Sequence, residues 1–168
     1  GIKILKQGGN AFDAMIATDL ALSVVYPSAG NLGGGGFMVY TLPNDSIGTL
    51  DYREKAPLAA SKNMFLDKNG NEVKGLSTVG SLAIGVPGTV AGLFTTYERF
   101  GSLPLEIIFK PAIDLAEKGF VVTKKQAKSL NLYRKQIISI NDSISEFNHE
   151  FKEGDLFVNK PLAKTLKL

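Results

Sequence analysis

Four features of the sequence could do chemistry. Arg53, in LDYREKAP, stands at a strand end, where an arginine can offer a planar pair of donors to a carboxylate. The run in GNLGGGGFMVY places four glycines directly before an apolar segment, either to cradle a phosphate or to let other atoms come very close. His149 is the sole histidine and lies in EFNHEFKEG. The stretch TKKQAKSLNLYRK carries five Lys or Arg between Val121 and Lys135 and no acid, a pattern that could meet an anion.

Each also has a plainer reading. A Walker-type cradle needs Lys and Ser or Thr after its last glycine, at the start of a helix. Here Phe37 and Met38 follow and begin a strand, so no helix dipole is aimed at a phosphate. Gly33 to Gly36 are expected instead to let the chain enter a buried sheet where backbones crowd. His149 has no second ligand at metal spacing, so a solvated side chain is expected rather than a zinc site or a triad. The basic run reads as a solvated helix face. For Arg53, spacing alone favours an ion pair with Asp51, Glu54 or a distant acid over a ligand contact.

Composition narrows the classes. The 168 residues fit one domain, and 44% hydrophobic with 21% charged content is that of an ordinary soluble protein. A net charge of +3 gives no strong reason to expect nucleic acid or an acidic membrane. The absence of cysteine excludes disulfides, thiolate metal sites and a thiol nucleophile. No cofactor and no metal are expected. No run approaches the roughly 20 apolar residues of a membrane span, and GIKILKQGG lacks the apolar core of a signal peptide. Both ends read as cut from a longer chain.

The elements that must position these groups are legible in outline. A first helix is expected to stop at Gly8-Gly9. Asn10 then caps AFDAMIATDLALSVV, with Asp13 in the capping-box position, and Tyr26-Pro27 ends it. FMVYTL and SIGTLDY, around Pro43-Asn44-Asp45, read as an antiparallel hairpin that delivers Arg53 at its exit. Asn69-Gly70 marks a further turn. In GVPGTVAGLFTTYERFG, Pro87 suits the first helical turn and Gly101 the residue past the end. Gly88, Ala91 and Gly92 share a side open to another backbone. PLEIIFKPAIDLAEKG runs from Pro104 to Gly119, with a break, kink or new start expected at Pro111. From Thr123 onward the chain reads as helical and polar.

Taken together, GGNAFDAMIAT, YPSAGNLGGGGFMVY, LDYREKAP and GVPGTVAG, in this order, closely resemble the N-terminal part of the large subunit of the γ-glutamyltranspeptidase family. FKPAIDLAEKGF and GDLFVNKPLAKTL fit the same family, so the resemblance covers essentially the whole chain. It does not separate transpeptidases from cephalosporin acylases or polyglutamate-processing capsule enzymes.

The resemblance implies an α/β (α+β) fold, part of the four-layer α/β/β/α sandwich of N-terminal-nucleophile hydrolases. Residues 1–168 would be a partial large-subunit domain, truncated at both ends. In that family a precursor cleaves itself before a threonine. The freed amine then activates the threonine hydroxyl against a γ-glutamyl amide, and the acyl group passes to water, amino acids or dipeptides. Arg53 takes the position implied to hold the substrate's α-carboxylate, which reverses the preference for a simple ion pair. No catalytic residue is expected within the chain: residue 1 is Gly, and Thr78 and Thr89 lack a free amine. The implied partners are a small γ-glutamyl substrate, the small subunit and the remainder of the large subunit, with self-association where apolar surface stays uncovered. A periplasmic, secreted or cell-surface location is implied too. The competing expectations are an acylase or polyglutamate-processing relative, or a non-catalytic binding module using the basic face.

Overall fold

Helix α2 (Ala11–Val25) starts as its capping box demands. The Asn10 side chain accepts from the Phe12 and Asp13 main-chain N–H groups, and the Asp13 carboxylate accepts from the Asn10 N–H at 2.9 Å. The computed structural model describes residues 1–30, 32–141 and 145–168. Their helices and small antiparallel sheets make an α+β protein. They gather in two units, Gly1–Leu32 with Leu93–Leu168, and Gly33–Gly92.

The first unit is mainly helical. Helix α1 (Ile2–Lys6) packs on α2, α2 on α4 (Leu105–Lys118), and α4 on α6 (Lys160–Leu166). Ile4, Ile16, Leu20, Ile108, Ala112, Ala116 and Leu166 form the buried seam between them. Each large aliphatic residue so buried contributes about 1.5–3 kcal/mol. Of the break, kink or new start expected at Pro111, neither a break nor a new start occurs: α4 is one continuous helix through it. The proline forfeits one main-chain bond, but Ile108, Ala112 and Ala116 are fully buried on one face, and that packing outweighs the loss. Two-residue strands Phe120–Val121 and Leu156–Phe157, β3 and β4 in chain order, pair antiparallel beside a ring cluster of Phe147, Phe151 and Phe157. Between them α5 (Lys124–Ile140) begins at a second capping box, Thr123 with Gln126.

Asp13 anchors this unit as well as capping α2. It is fully buried and accepts from the Ser102 main-chain N–H at 3.0 Å and the Ser102 hydroxyl at 2.5 Å. Asn10 donates to the Phe100 carbonyl at 2.6 Å, and the Phe12 and Phe100 rings stack at 4.3 Å. The N-terminus of α2 is thereby tied to the end of α3 (Thr89–Phe100). Burial alone would raise the Asp13 pKa; the bonds from Ser102, Asn10 and Leu103 outweigh it and hold the carboxyl below its ordinary value.

The second unit is built around β1 (Phe37–Thr41) and β2 (Ile47–Asp51), the expected hairpin. Phe37 faces Asp51 and Thr41 faces Ile47, with a turn whose Asp45 takes φ +61°. The sheet is not buried as expected. Phe37, Val39 and Ile47 are 66%, 75% and 74% exposed, because nothing within this unit covers that face of the two strands. The Asn69-Gly70 turn is present: the Asp67 carboxylate accepts from the Asn69 and Asn71 N–H groups at 2.8 and 2.9 Å.

Replacing Asp13 by Ala should destabilise the protein by about 2–4 kcal/mol, through the lost cap and the unpaired Ser102 and Asn10 donors. Urea unfolding at neutral pH measures this. A carboxyl with a depressed folded pKa contributes its stability above the unfolded pKa and loses it as pH falls through the folded one. The gap between wild type and variant should therefore narrow in acid; a gap independent of pH would contradict the assignment.

Candidate functional site

Arg53 leaves β2 at a defined bend. Its main-chain N–H donates to the Asp51 carboxylate at 3.0 Å, which turns the chain out of the strand. Just before it, Tyr52 extends the hairpin by one pair: its N–H donates to the Gly36 carbonyl at 3.0 Å and its carbonyl accepts from the Gly36 N–H at 3.4 Å. Just after it, Lys55 pairs antiparallel with Val86 in a single bridge. The Arg53 peptide is thus held from both sides in sequence.

The side chain is 61% exposed. Its Nε lies 3.2 Å from a Glu54 carboxylate oxygen, and the guanidinium carbon stands 5.7 Å from the Phe37 ring centroid, within cation–π range. Among the described residues no other acid pairs with it. One of the ion pairs foreseen from spacing therefore forms, with Glu54, while Asp51 bonds the main chain instead. Glu54 meets the Nε side; the outer edge of the guanidinium, with its two terminal nitrogens, is the edge that suits both oxygens of a carboxylate.

The glycine run acts beside this arginine, not on a phosphate. The Gly34 carbonyl accepts from the Gly88 and Thr89 N–H groups at 2.9 and 3.0 Å. Two N–H groups at the start of α3 are satisfied there, so the helix begins at Thr89 and leaves Pro87 outside its first turn. Gly35 and Gly36 lie against Tyr52, Arg53 and Glu54, and Gly88 and Gly92 lie against Tyr52 as well. Of the backbone approach expected at Gly88, Ala91 and Gly92, Gly88 does meet main chain, that of Tyr52 and Arg53; Gly92 meets the Tyr52 side chain instead, and Ala91 is exposed. Sequence reasoning missed Tyr52; the signal available was the four-residue spacing of the two glycines, which marks a gap but not what fills it.

The other nominated groups stay apart from this centre. The His149 ring packs on Phe151 at 4.4 Å, and among the described residues no cluster of acids and histidine could hold a metal. In the basic stretch, Arg134 donates to the Phe147 carbonyl at 3.2 Å. A groove of about 640 Å³ in the helical unit is lined largely by apolar groups, including Val25, Phe120, Leu130 and Ile137, and does not include Arg53. No helix among the described residues is long and apolar enough to cross a membrane.

Comparison with known proteins fits this geometry. The family model described as gamma-glutamyltranspeptidase matches residues 1–168. A glutathione hydrolase proenzyme of Pseudomonas aeruginosa is 47% identical over 98% of this chain, and one of Escherichia coli is 40% identical over all of it. The chain spans 29% and 30% of those two proteins. The crystal structure of Helicobacter pylori gamma-glutamyltranspeptidase superposes with a TM-score of 0.94 at 50% identity, over 99% of this chain and 49% of that one. The Bacillus anthracis transpeptidase CapD follows the same fold, with a TM-score of 0.78 at 34% identity over 99% of this chain and 51% of that one.

The Arg53–Glu54 pair is exposed and should matter little to folding. Glu54→Gln is expected to change the unfolding free energy by no more than about 1 kcal/mol, read from urea titration. A larger loss would make the pair structural and leave the guanidinium committed to it.

Proposed function

Because this chain belongs to the γ-glutamyltranspeptidase family, we propose that the protein it forms part of cleaves γ-glutamyl amide bonds, as in glutathione, and passes the γ-glutamyl group to water, amino acids or dipeptides. Arg53 holds the substrate's α-carboxylate. The observation that carries this role is an exposed guanidinium on a fixed main chain whose one acidic partner is weakly held. An exposed pair of this kind is worth about 0–1 kcal/mol, so an arriving carboxylate that meets the outer edge of the fork displaces or shares it at small cost.

Arg53 does no bond-making. It anchors the end of the substrate remote from the amide, in the ground state and the transition state alike. The nucleophile is a threonine of the small subunit, outside these 168 residues, activated by its own α-amine. The remainder of the large subunit and the small subunit are the proposed partners. The exposed Phe37, Val39 and Ile47 face is where they would gain most by covering apolar surface, and two copies of the isolated chain would cover it by self-association. A periplasmic, secreted or cell-surface location is proposed on the same family ground. The second reading, a capsule-type transpeptidase or an acylase, draws on the likeness to CapD, and the higher identity to glutathione hydrolases favours the first.

In the full-length protein, Arg53→Ala should lower kcat/KM on a γ-glutamyl anilide by about 2–5 kcal/mol in transition-state terms, the loss typical of one partner removed from a charge pair that the bound substrate desolvates. An unchanged kcat/KM would remove Arg53 from the site. The purified 168-residue chain alone should release no chromophore from the same substrate; measurable turnover would place a nucleophile within it.

A further inference from the structure

An arginine side chain has many rotamers, and ordering it costs up to about 2 kcal/mol. How well Arg53 meets a ligand therefore depends on how firmly its own peptide is fixed. Two glycines fix it. A Cβ built on Gly35 would lie 2.6 Å from the Tyr52 carbonyl oxygen, 2.7 Å from the Glu54 nitrogen and 2.9 Å from the Arg53 carbonyl carbon. A Cβ on Gly88 would lie 2.7 Å from the Tyr52 carbonyl carbon and 3.0 Å from the Arg53 oxygen, with the Tyr52 oxygen nearer still. The atoms they face are main chain, which cannot swing aside as a side chain can.

The Tyr52 ring is held in the same way. A Cβ on Gly36 would lie 2.8 Å from Cε2, and one on Gly92 would lie 2.6 Å from Cδ2 and 2.7 Å from Cβ. The ring lies where a Cβ at either glycine would meet it. Gly88 and Gly92 are one helical turn apart, so the start of α3 presents both to Tyr52 at once.

We propose that Tyr52, with Gly35, Gly36, Gly88 and Gly92 around it, forms a set of positioning residues for Arg53: the ring, seated against Gly36 and Gly92, and the main chain, pressed on Gly35 and Gly88, together aim the guanidinium at the substrate's α-carboxylate. This rests on the carboxylate-holding role of Arg53 given above. The five are assigned to act through Arg53, as positioning residues. The carboxylate is held alike in the ground state and the transition state, so a misaimed guanidinium raises KM more than it lowers kcat.

The test uses the full-length protein and steady-state kinetics on a γ-glutamyl anilide. Gly92→Ala forces the ring aside and is expected to raise KM by about tenfold or more while kcat moves less than about threefold. Tyr52→Ala should do the same, whereas Tyr52→Phe, which keeps the ring, should restore most of the affinity. In the double variant Gly92→Ala/Tyr52→Ala the added methyl no longer meets the ring and faces only the residue-52 Cβ, so the two effects should be less than additive. KM values at the wild-type level in Gly92→Ala and Tyr52→Ala, with only the unfolding midpoint lowered, would overturn the proposal, as would strictly additive effects. If Gly92→Ala does not fold, the contrast between Tyr52→Ala and Tyr52→Phe decides: a rise in KM only in the former supports it, and no rise in either overturns it. Arg53→Ala is measured alongside. If it too leaves KM unchanged, the carboxylate role falls and the positioning role with it; if it raises KM while the Tyr52 and Gly92 variants do not, the positioning role alone falls.

Discussion

The closest constraint in the second unit is the crowding of main chain around Tyr52 and Arg53. Three stretches distant in sequence, Gly34 to Gly36, Tyr52 to Glu54, and Val86 to Gly92, meet within it. They are joined by the Gly36–Tyr52 pair, by the Gly34 carbonyl at the start of α3 and by the Lys55–Val86 bridge. No side chain fits where Gly35 or Gly88 faces the Tyr52 peptide. Each glycine costs about 0.5–1 kcal/mol of backbone entropy relative to alanine, a cost tolerated because any Cβ there would break the contact that holds the arginine.

Two charged groups in the chain show how burial separates support from function. Asp13 is fully enclosed and meets main-chain and side-chain donors from Asn10 and Ser102, which is what a buried carboxylate requires. Nothing is left over for a ligand. Arg53 is its opposite: exposed, with Glu54 on one side of its fork and a ring nearby. Its main chain is bonded on both sides while its charge remains available, the combination a carboxylate-binding residue needs.

Much of this was legible because it is written locally. The Asn10–Asp13 capping box, the hairpin from Phe37 to Asp51 and the caps at Pro104 and Gly119 all follow from residues a few positions apart. Features that depend on distant partners were not. Strands of two residues, such as Phe120–Val121 with Leu156–Phe157, are too short to carry a period. Pro111 reads as a breaker until the buried face around it is known. The glycine run reads as the entry to a buried sheet, yet within its own unit one face of the hairpin is open. For the site, spacing supplied Glu54 as a partner of Arg53, the family resemblance supplied a ligand, and neither pointed to Tyr52.

The most direct measurement of the central claim is binding without turnover. Calorimetric titration of glutamate into the full-length protein should show affinity falling by about thirtyfold or more on Arg53→Ala, the loss that removing one partner of a carboxylate–guanidinium contact entails. Equal affinity in wild type and variant would mean that Arg53 is an exposed surface charge paired with Glu54, and that the crowded glycines around Tyr52 serve the fold alone.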